Sequence, residues 1–358
     1  MKIATNLLIS LIAFFIAISI AIATGIELVF NAVFLAFAIQ WIAFIPAYIF
    51  QTEKFYDLTG SLTYLLVIWY SLTLSSDQFT NLNGANIVIV LLISLWAIRL
   101  GSFLFMRIHH DGEDKRFRSI KPSASQFFMT WTLQGLWVSL CSMCALTAIS
   151  SNTGIVTNAF FYIGLALFIL GFTIEVMADM EKSAFKAIQE NKDKFITTGL
   201  WARSRHPNYF GEIVLRCGIF LLCCRSFSGI MWFSFLSPVF VAVMLIKVTG
   251  VPGHDKRALH LWASDPEYMQ YRRRTSLIIP LPPRDVSHTR RAPASSMDSD
   301  GENRPLVILR HKTTYSAVPT EDFEELPVLS DDDDDDDDDG GALGEQQSLG
   351  SLELLGRG

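Results

Sequence analysis

The run from Gly199 to Glu212, GLWARSRHPNYFGE, sets Arg203, Arg205, His206, Asn208, Tyr209 and Glu212 together at the mouth of an apolar segment. Pro207 suits the first turn of a helix, where its missing N–H has no intrahelical partner to lose. A helix begun there carries Glu212 and Arg216 on one face, four residues apart. Its N-terminal end, flanked by Arg203 and Arg205, is suited to an anion. A second acidic pair, Glu175 and Asp179, shares a face at the end of the preceding apolar segment, and Arg99 sits low in an earlier one. Ionisable groups at membrane depth are costly and tend to serve function. The functional reading is a buried polar cavity whose basic mouth attracts a phosphate-bearing ligand. The bland reading is a basic loop beside the membrane and ion pairs that only join helices.

The elements that must position these groups are apolar. The chain has 358 residues, is 51% hydrophobic and has a mean hydropathy of +0.34, which excludes an ordinary soluble domain. Apolar runs predict an all-α bundle of about eight spans, over 3–24, 28–50, 61–75, 87–106, 127–149, 157–178, 208–224 and 227–248. The first run is longer than a usual signal-peptide core and is expected to be retained. Pro46 is expected to kink the second. The seventh is short for a hydrocarbon core of about 30 Å, so its polar start is placed inside the membrane boundary. After the last span, Asp265 to Thr275 reads as a short amphipathic helix capped near Asp265.

Charge divides the chain. From Asp285 to Gly358 there are nineteen acidic and six basic residues; the remainder holds sixteen acidic and twenty-three basic. The membrane part is therefore residues 1–284, with the polar cavity expected from its last four spans, about 127–284. Residues 285–358, with nine aspartates from Asp331 to Asp339, cannot bury a core and read as a disordered acidic tail that solvates or meets a basic partner. Basic residues crowd the loops 107–126 and 179–207 and the segment after 248, whereas the alternate loops hold only Arg225. That asymmetry puts both termini in the cytosol.

Other chemistries lack support. The five cysteines lie in apolar runs, the seven histidines are scattered, and no metal-ligand spacing is present. There is no G-x-G-x-x-G and no P-loop, so a nucleotide would not be held by a Rossmann domain. No metal and no nucleic-acid partner are expected.

Several separated stretches carry a resemblance. They are Phe55-Tyr56-Asp57-Leu58-Thr59-Gly60, Arg99-Leu100-Gly101, Asp111-Gly112-Glu113-Asp114 with Arg116-Phe117, Ala178-Asp179 with Phe185-Lys186, Asn191-Lys192, Thr198 through Glu212, Val248-Thr249-Gly250-Val251-Pro252 and Asp265-Pro266-Glu267-Tyr268. Residues from about 50 to 284 thereby resemble the membrane family of unknown function grouped with the C-terminal domain of steroid 5α-reductases. The resemblance implies a membrane oxidoreductase that passes hydride from NADPH to a carbon–carbon double bond of a lipophilic, steroid-like or enoyl substrate drawn from the bilayer. The acidic tail and the topology suggest an endomembrane such as the endoplasmic reticulum. The resemblance places Asn208, Asp179 and Glu175 at the cofactor, with Lys186, Arg205 and Arg272 at its phosphates and His206 and Tyr268 beside them. Glu175 departs from the steroid enzymes, which have asparagine there. Glu212 falls near the substrate carbonyl, where a protonated carboxyl could donate to the oxygen as negative charge develops. A pair between Glu212 and Arg216 would instead make Glu212 an orienting group, leaving Tyr209 as the next donor. The Arg205-His206-Pro207-x-Tyr209 core and the Glu267-Tyr268-x-x-Tyr271-Arg272-Arg273 ending are also similar to isoprenylcysteine carboxyl and phospholipid methyltransferases, which use S-adenosylmethionine, although Asn208 and the Phe210-Gly211-Glu212 continuation follow the reductase pattern. However, the acidic pair of those enzymes is replaced by Gly253-His254-Asp255-Lys256. A membrane protein that binds lipid or assists assembly without catalysis is the third class.

Overall fold

A computed structural model describes residues 2–75 and 83–285. The acidic tail expected beyond them lies outside the described residues, apart from Asp285. The described part is all-α. It comprises α1 (Lys2–Ala23), α2 (Glu27–Ile49), α3 (Tyr56–Ser75), α4 (Gly84–Asp111), α5 (Ala124–Ile149), α6 (Ala159–Ala187), α7 (Pro207–Cys223), α8 (Leu236–Val243), α9 (Gly250–Trp262) and α10 (Pro266–Arg274). Among the described residues eight helical segments are long and apolar enough to cross a bilayer, so this is an integral multi-pass membrane protein.

Boundaries moved outward where polar residues continue a helix. α3 starts at Tyr56 rather than residue 61, and α4 and α6 run on to Asp111 and Ala187. Apolar runs mark only the part of a helix that lipid demands; the hydrogen-bond ladder continues through Arg107, Lys182 and Lys186. The last span departs most from expectation. It is a 3₁₀ stretch (Gly229–Phe235), α8, a π-helical turn (Met244–Val248) and α9, not one α-helix. Thr249 closes the π turn, its N–H and its hydroxyl both donating to the Met244 carbonyl at 2.9 and 3.0 Å. Pro46 lies within α2, three residues before its end.

α5 is the axis. From Phe127 to Ile149 it is buried almost without interruption, against α1, α2, α3, α7 and α8. A helix surrounded by helices cannot present large side chains on every face. α5 accordingly carries Gly135, Ser139, Ser142 and Thr147 among its apolar residues, and Ser139 returns its hydroxyl to the Gly135 carbonyl at 2.7 Å.

α6 and α7 make the closest approach. Gly164 and Gly171 on one, Gly211 and Gly218 on the other, are each seven residues apart and face one another antiparallel. A Cβ on Gly211 would stand 2.6 Å from the Glu175 nitrogen, and one on Gly218 would stand 2.6 Å from the Phe168 nitrogen. Small residues let two backbones touch where lipid offers no hydrophobic drive to associate. This seam fixes the register of Glu175 and Asp179 against Asn208 and Glu212.

The loop between α4 and α5 is tied back to the start of α3. Buried Glu53 accepts from the Asp114 N–H at 3.0 Å and meets the Lys121 ammonium at 2.5 Å. Asp114 is clasped by Arg116, with Nε 2.9 Å from each carboxylate oxygen. Burial alone would raise the Asp114 pKa, but the Arg116 hydrogen bonds and charge more than reverse it and hold the carboxyl below its ordinary value. A depressed folded-state pKa contributes stability above the unfolded pKa of about 3.9 and loses it as pH falls through the folded value. Asp114→Asn is therefore expected to lower Tm at neutral pH, with the gap from wild type closing below about pH 4. Thermal melts of both proteins across that range check it.

Candidate active site

Three helices deliver charge to one buried place. On α6, Glu175 and Asp179 are one turn apart, 4% and 3% exposed. On α4, Trp96 and Arg99 are three residues apart and share a face. The Arg99 guanidinium joins both acids, Nη1 to Glu175 Oε1 at 2.9 Å and Nη2 to Asp179 Oδ2. The Trp96 indole N–H donates to the other Glu175 oxygen at 3.3 Å. On α7, Asn208, Glu212 and Arg216 follow one another at four-residue spacing. Arg216 Nη2 lies 3.4 Å from Glu212 Oε1, and its guanidinium carbon stands 4.1 Å over the Trp96 ring and 5.7 Å from the Tyr64 ring centre. Trp96 thus links the two ion pairs, its edge to Glu175 and its face to Arg216. Buried charges persist only when paired and hydrogen-bonded, and this network meets that condition for the acids.

Glu212 thus lies against the Arg216 guanidinium, the pairing under which the sequence makes it an orienting group and leaves Tyr209 as the next donor candidate. Tyr209 is 4% exposed and stacks almost parallel on His206, centroids 5.3 Å apart, with the His254 ring 6.0 Å away. Gly250, just past the π turn, makes room for it: a Cβ there would stand 2.8 Å from the Tyr209 ring. π turns recur at functional sites because they re-aim one helix face.

Above this network the segments 188–206 and 250–284 form one polar layer. The Arg205 N–H donates to the Ser276 carbonyl at 2.8 Å, the Tyr271 hydroxyl to the Trp201 carbonyl at 2.7 Å, and the Trp262 indole to the Asp193 carbonyl at 3.0 Å. Asp265 caps α10 by accepting from the Glu267 N–H at 2.8 Å, with Pro266 in the first turn as its sequence indicates. Arg205 and Arg272 share Asp255, each with a nitrogen at 3.0 Å. His206 Nε2 lies 3.8 Å from the same carboxylate, beyond hydrogen-bond reach, and is buried without a partner. Burial pushes the His206 imidazole down further than the Asp255 carboxylate pulls it up, so the ring is neutral at pH 7.

The sequence-derived residues fall into three places. Glu175, Asp179, Asn208, Tyr209, His206 and Glu212 converge at the junction of α6 and α7. Arg205 and Arg272 meet at Asp255. Lys186 stands apart, donating to the carbonyls of Asn191, Lys192 and Lys194 and closing that loop, and Tyr268 packs on Phe195 and Trp262 beside the Asp255 cluster. Sequence reasoning did not mark Trp96, Asp255 or His254. Trp96 could have been found from its three-residue spacing to Arg99; Asp255, inside a helix of mixed charge, carries no such signal. Among the described residues no group of three or more metal ligands is present.

The model of a protein family described as "Protein of unknown function (DUF1295)" matches residues 43–275. The chain belongs to this family. The match bears out the resemblance to membrane proteins of the steroid 5α-reductase type, and it contains the ion-pair network and the Asp255 cluster. The DUF1295 chain is also 32% identical over 127 residues to a protein of Ustilaginoidea virens named "Probable O-methyltransferase ustE"; the matched segment is 29% of this chain and 45% of that relative. The DUF1295 chain thus spans less than half the length of the curated relative it matches. No solved structure matches.

Proposed function

We propose that this protein is an NADPH-dependent membrane reductase acting on a carbon–carbon double bond of a lipophilic substrate. The observation that carries this reading is a basic layer that runs through Arg205 to a buried, unsatisfied amide at Asn208. Residues 188–206 hold four lysines and arginines against two acidic residues, and residues 250–284 hold six against three. Asn208, 4% exposed, has its Oδ1 buried with no hydrogen-bond partner, as has the neighbouring His206 Nε2. An orphaned acceptor of this kind calls for a ligand donor. NADPH fits both features: its phosphates are polyanionic, and its nicotinamide carries a carboxamide able to pair with Asn208. Bound here, NADPH would supply the hydride. Asn208 and Asp179 would orient the nicotinamide end, Arg205 and Arg272 would face the phosphates, and the Glu212–Arg216 pair would face the substrate. Tyr209 would hold the proton to be delivered. The substrate would enter sideways from the bilayer, and the positive-inside pattern puts the basic layer in the cytosol, with an endoplasmic reticulum location in keeping.

Methyl transfer from S-adenosylmethionine is the second reading, and the relative named a probable O-methyltransferase favours it. The charge of the layer weighs the other way, because the sulfonium of that cofactor is a cation. A thermal-shift comparison on the purified full chain tests the choice. At about 100 times Kd a native-state ligand stabilises by about 2.7 kcal/mol. NADPH is expected to raise Tm and Asn208→Ala to remove the rise. A rise with S-adenosylmethionine alone would transfer the assignment to methyl transfer, and no response to either would favour a non-catalytic lipid-binding or assembly role.

A further inference from the structure

Four arginines of the polar layer hold no ion pair. Arg203, Arg273, Arg274 and Arg284 are exposed, and among the described residues none of them meets a carboxylate. Arg99, Arg205, Arg216 and Arg272, by contrast, each hold one within 3.4 Å. The chain gathers the four unpaired ones on one surface. After α10 a strap of residues 275–284 runs back along residues 203–205. Ser276 forms a parallel bridge with Ser204, whose hydroxyl donates to the Ile278 carbonyl at 2.7 Å. The Leu281 N–H donates to the Arg203 carbonyl at 3.2 Å, and the Arg284 N–H to the Arg274 carbonyl at 2.9 Å. The second of these bonds also satisfies a carbonyl left over at the end of α10. Arg203 is thereby held beside residue 281, and Arg284 beside residue 274.

The strap also has a depth. Leu277 and Ile278 pack against the core made by the spanning helices, which puts this part of the strap at the edge of the bilayer. Next to them Ile279 and Leu281 are 55% and 47% exposed. Aliphatic side chains uncovered among unpaired arginines suit a leaflet surface, which offers acyl carbons to the first and phosphates to the second. A soluble acidic segment would engage the arginines and leave Ile279 and Leu281 in water.

We propose that this surface binds anionic phospholipid. Arg203, Arg273, Arg274 and Arg284 meet the headgroup oxygens, which a guanidinium fits in pairs, and Ile279 and Leu281 rest against the first carbons of the acyl chains. The positive-inside pattern turns this face toward the cytosolic leaflet, where anionic lipid is concentrated. The surface lies outside the network of α4, α6 and α7, and it stands whichever cofactor the protein uses.

The probe is dioleoyl phosphatidylserine, with dioleoyl phosphatidylcholine as the zwitterion of equal chain length. Each is titrated into the delipidated, detergent-purified full chain, and native mass spectrometry reads bound lipid per protein. Wild type is expected to bind phosphatidylserine about tenfold more tightly. Arg203→Gln, Arg273→Gln, Arg274→Gln and Arg284→Gln combined are expected to bring it down to the phosphatidylcholine affinity. Ile279→Ser with Leu281→Ser is expected to weaken both lipids alike. Lys54→Gln with Arg118→Gln, which removes two exposed cations of other loops, is expected to keep the full preference. Glycerophosphoserine, the headgroup without acyl chains, is expected to leave the lipid bound. Equal affinity of wild type for the two lipids would overturn the proposal, and that result needs no variant to fold. A loss in the Lys54 and Arg118 control as large as in the arginine variant would do the same, by reducing the effect to general charge. Displacement by glycerophosphoserine, with lipid binding unaltered in the serine variant, would make this a site for soluble phosphates instead. A preference absent in wild type that emerges when Asp331 to Asp339 are changed to Asn would give the surface to the acidic tail.

Discussion

Gly211→Val is expected to abolish recovery of folded protein. The added Cβ would stand 2.6 Å from the Glu175 nitrogen and 2.7 Å from the Gly171 carbonyl oxygen, both backbone atoms. A side-chain clash is relieved by rotation; this one requires α6 and α7 to separate. Separation would strip the closest helix contact in the bundle and move Glu175 away from Trp96 and Arg99. The penalty belongs with the rare severe ones, about 4 kcal/mol or more. Gly84→Ala provides the control, since a Cβ there meets nothing within 4 Å. Monodisperse yield on size exclusion, together with Tm, checks the pair: near wild type for Gly84→Ala, lost for Gly211→Val. A well-folded Gly211→Val protein would mean that the two helices do not pack on this seam.

Arg99→Met should be the most damaging single change outside the seam. Arg99 is the cation bonded to both Glu175 and Asp179, whose side chains are 6% and 1% exposed. Removing it leaves two carboxylates one turn apart in a buried place, and breaking a buried pair from one side costs about 3–5 kcal/mol. Arg99→Lys should recover only part of the loss, because an ammonium is a point charge and cannot fork between two acids. The triple variant Arg99→Met, Glu175→Gln, Asp179→Asn removes the charges together and should regain much of the Tm, since the penalty is that of unpaired charge. It should not regain cofactor binding, because Asp179 is proposed to contact the ligand. Recovered Tm with recovered NADPH binding would assign the network to structure alone.

The membrane architecture was legible in the sequence because lipid imposes a coarse rule: about twenty apolar residues per span, with loops marked by charge. The same coarseness hid the extensions of α4 and α6, where polar residues continue a helix beyond the hydrocarbon. It also hid the π turn at Met244–Val248, which lies in an apolar run broken by Lys247 and turns on one backbone bond from Thr249. Local spacing identified Glu175 with Asp179 and Glu212 with Arg216. It could not say which acid each arginine would choose, because that choice depends on the glycine seam bringing residue 175 to residue 211. Four residues of spacing permit the pair, and only the packed α7 face commits to it. Lys186 illustrates the converse: a basic residue well placed in sequence for a phosphate closes its own loop instead.

The most direct measurement is equilibrium cofactor binding by energy transfer from tryptophan to the reduced nicotinamide, whose absorption overlaps tryptophan emission. Trp96 lies within the proposed site and Trp201 and Trp262 in the layer above it, so bound NADPH should quench protein emission and gain its own. The proposed site predicts saturable transfer that weakens as salt screens the basic layer, is lost in Asn208→Ala and is not reversed by S-adenosylmethionine. Binding of S-adenosylmethionine with no transfer from NADPH would contradict it.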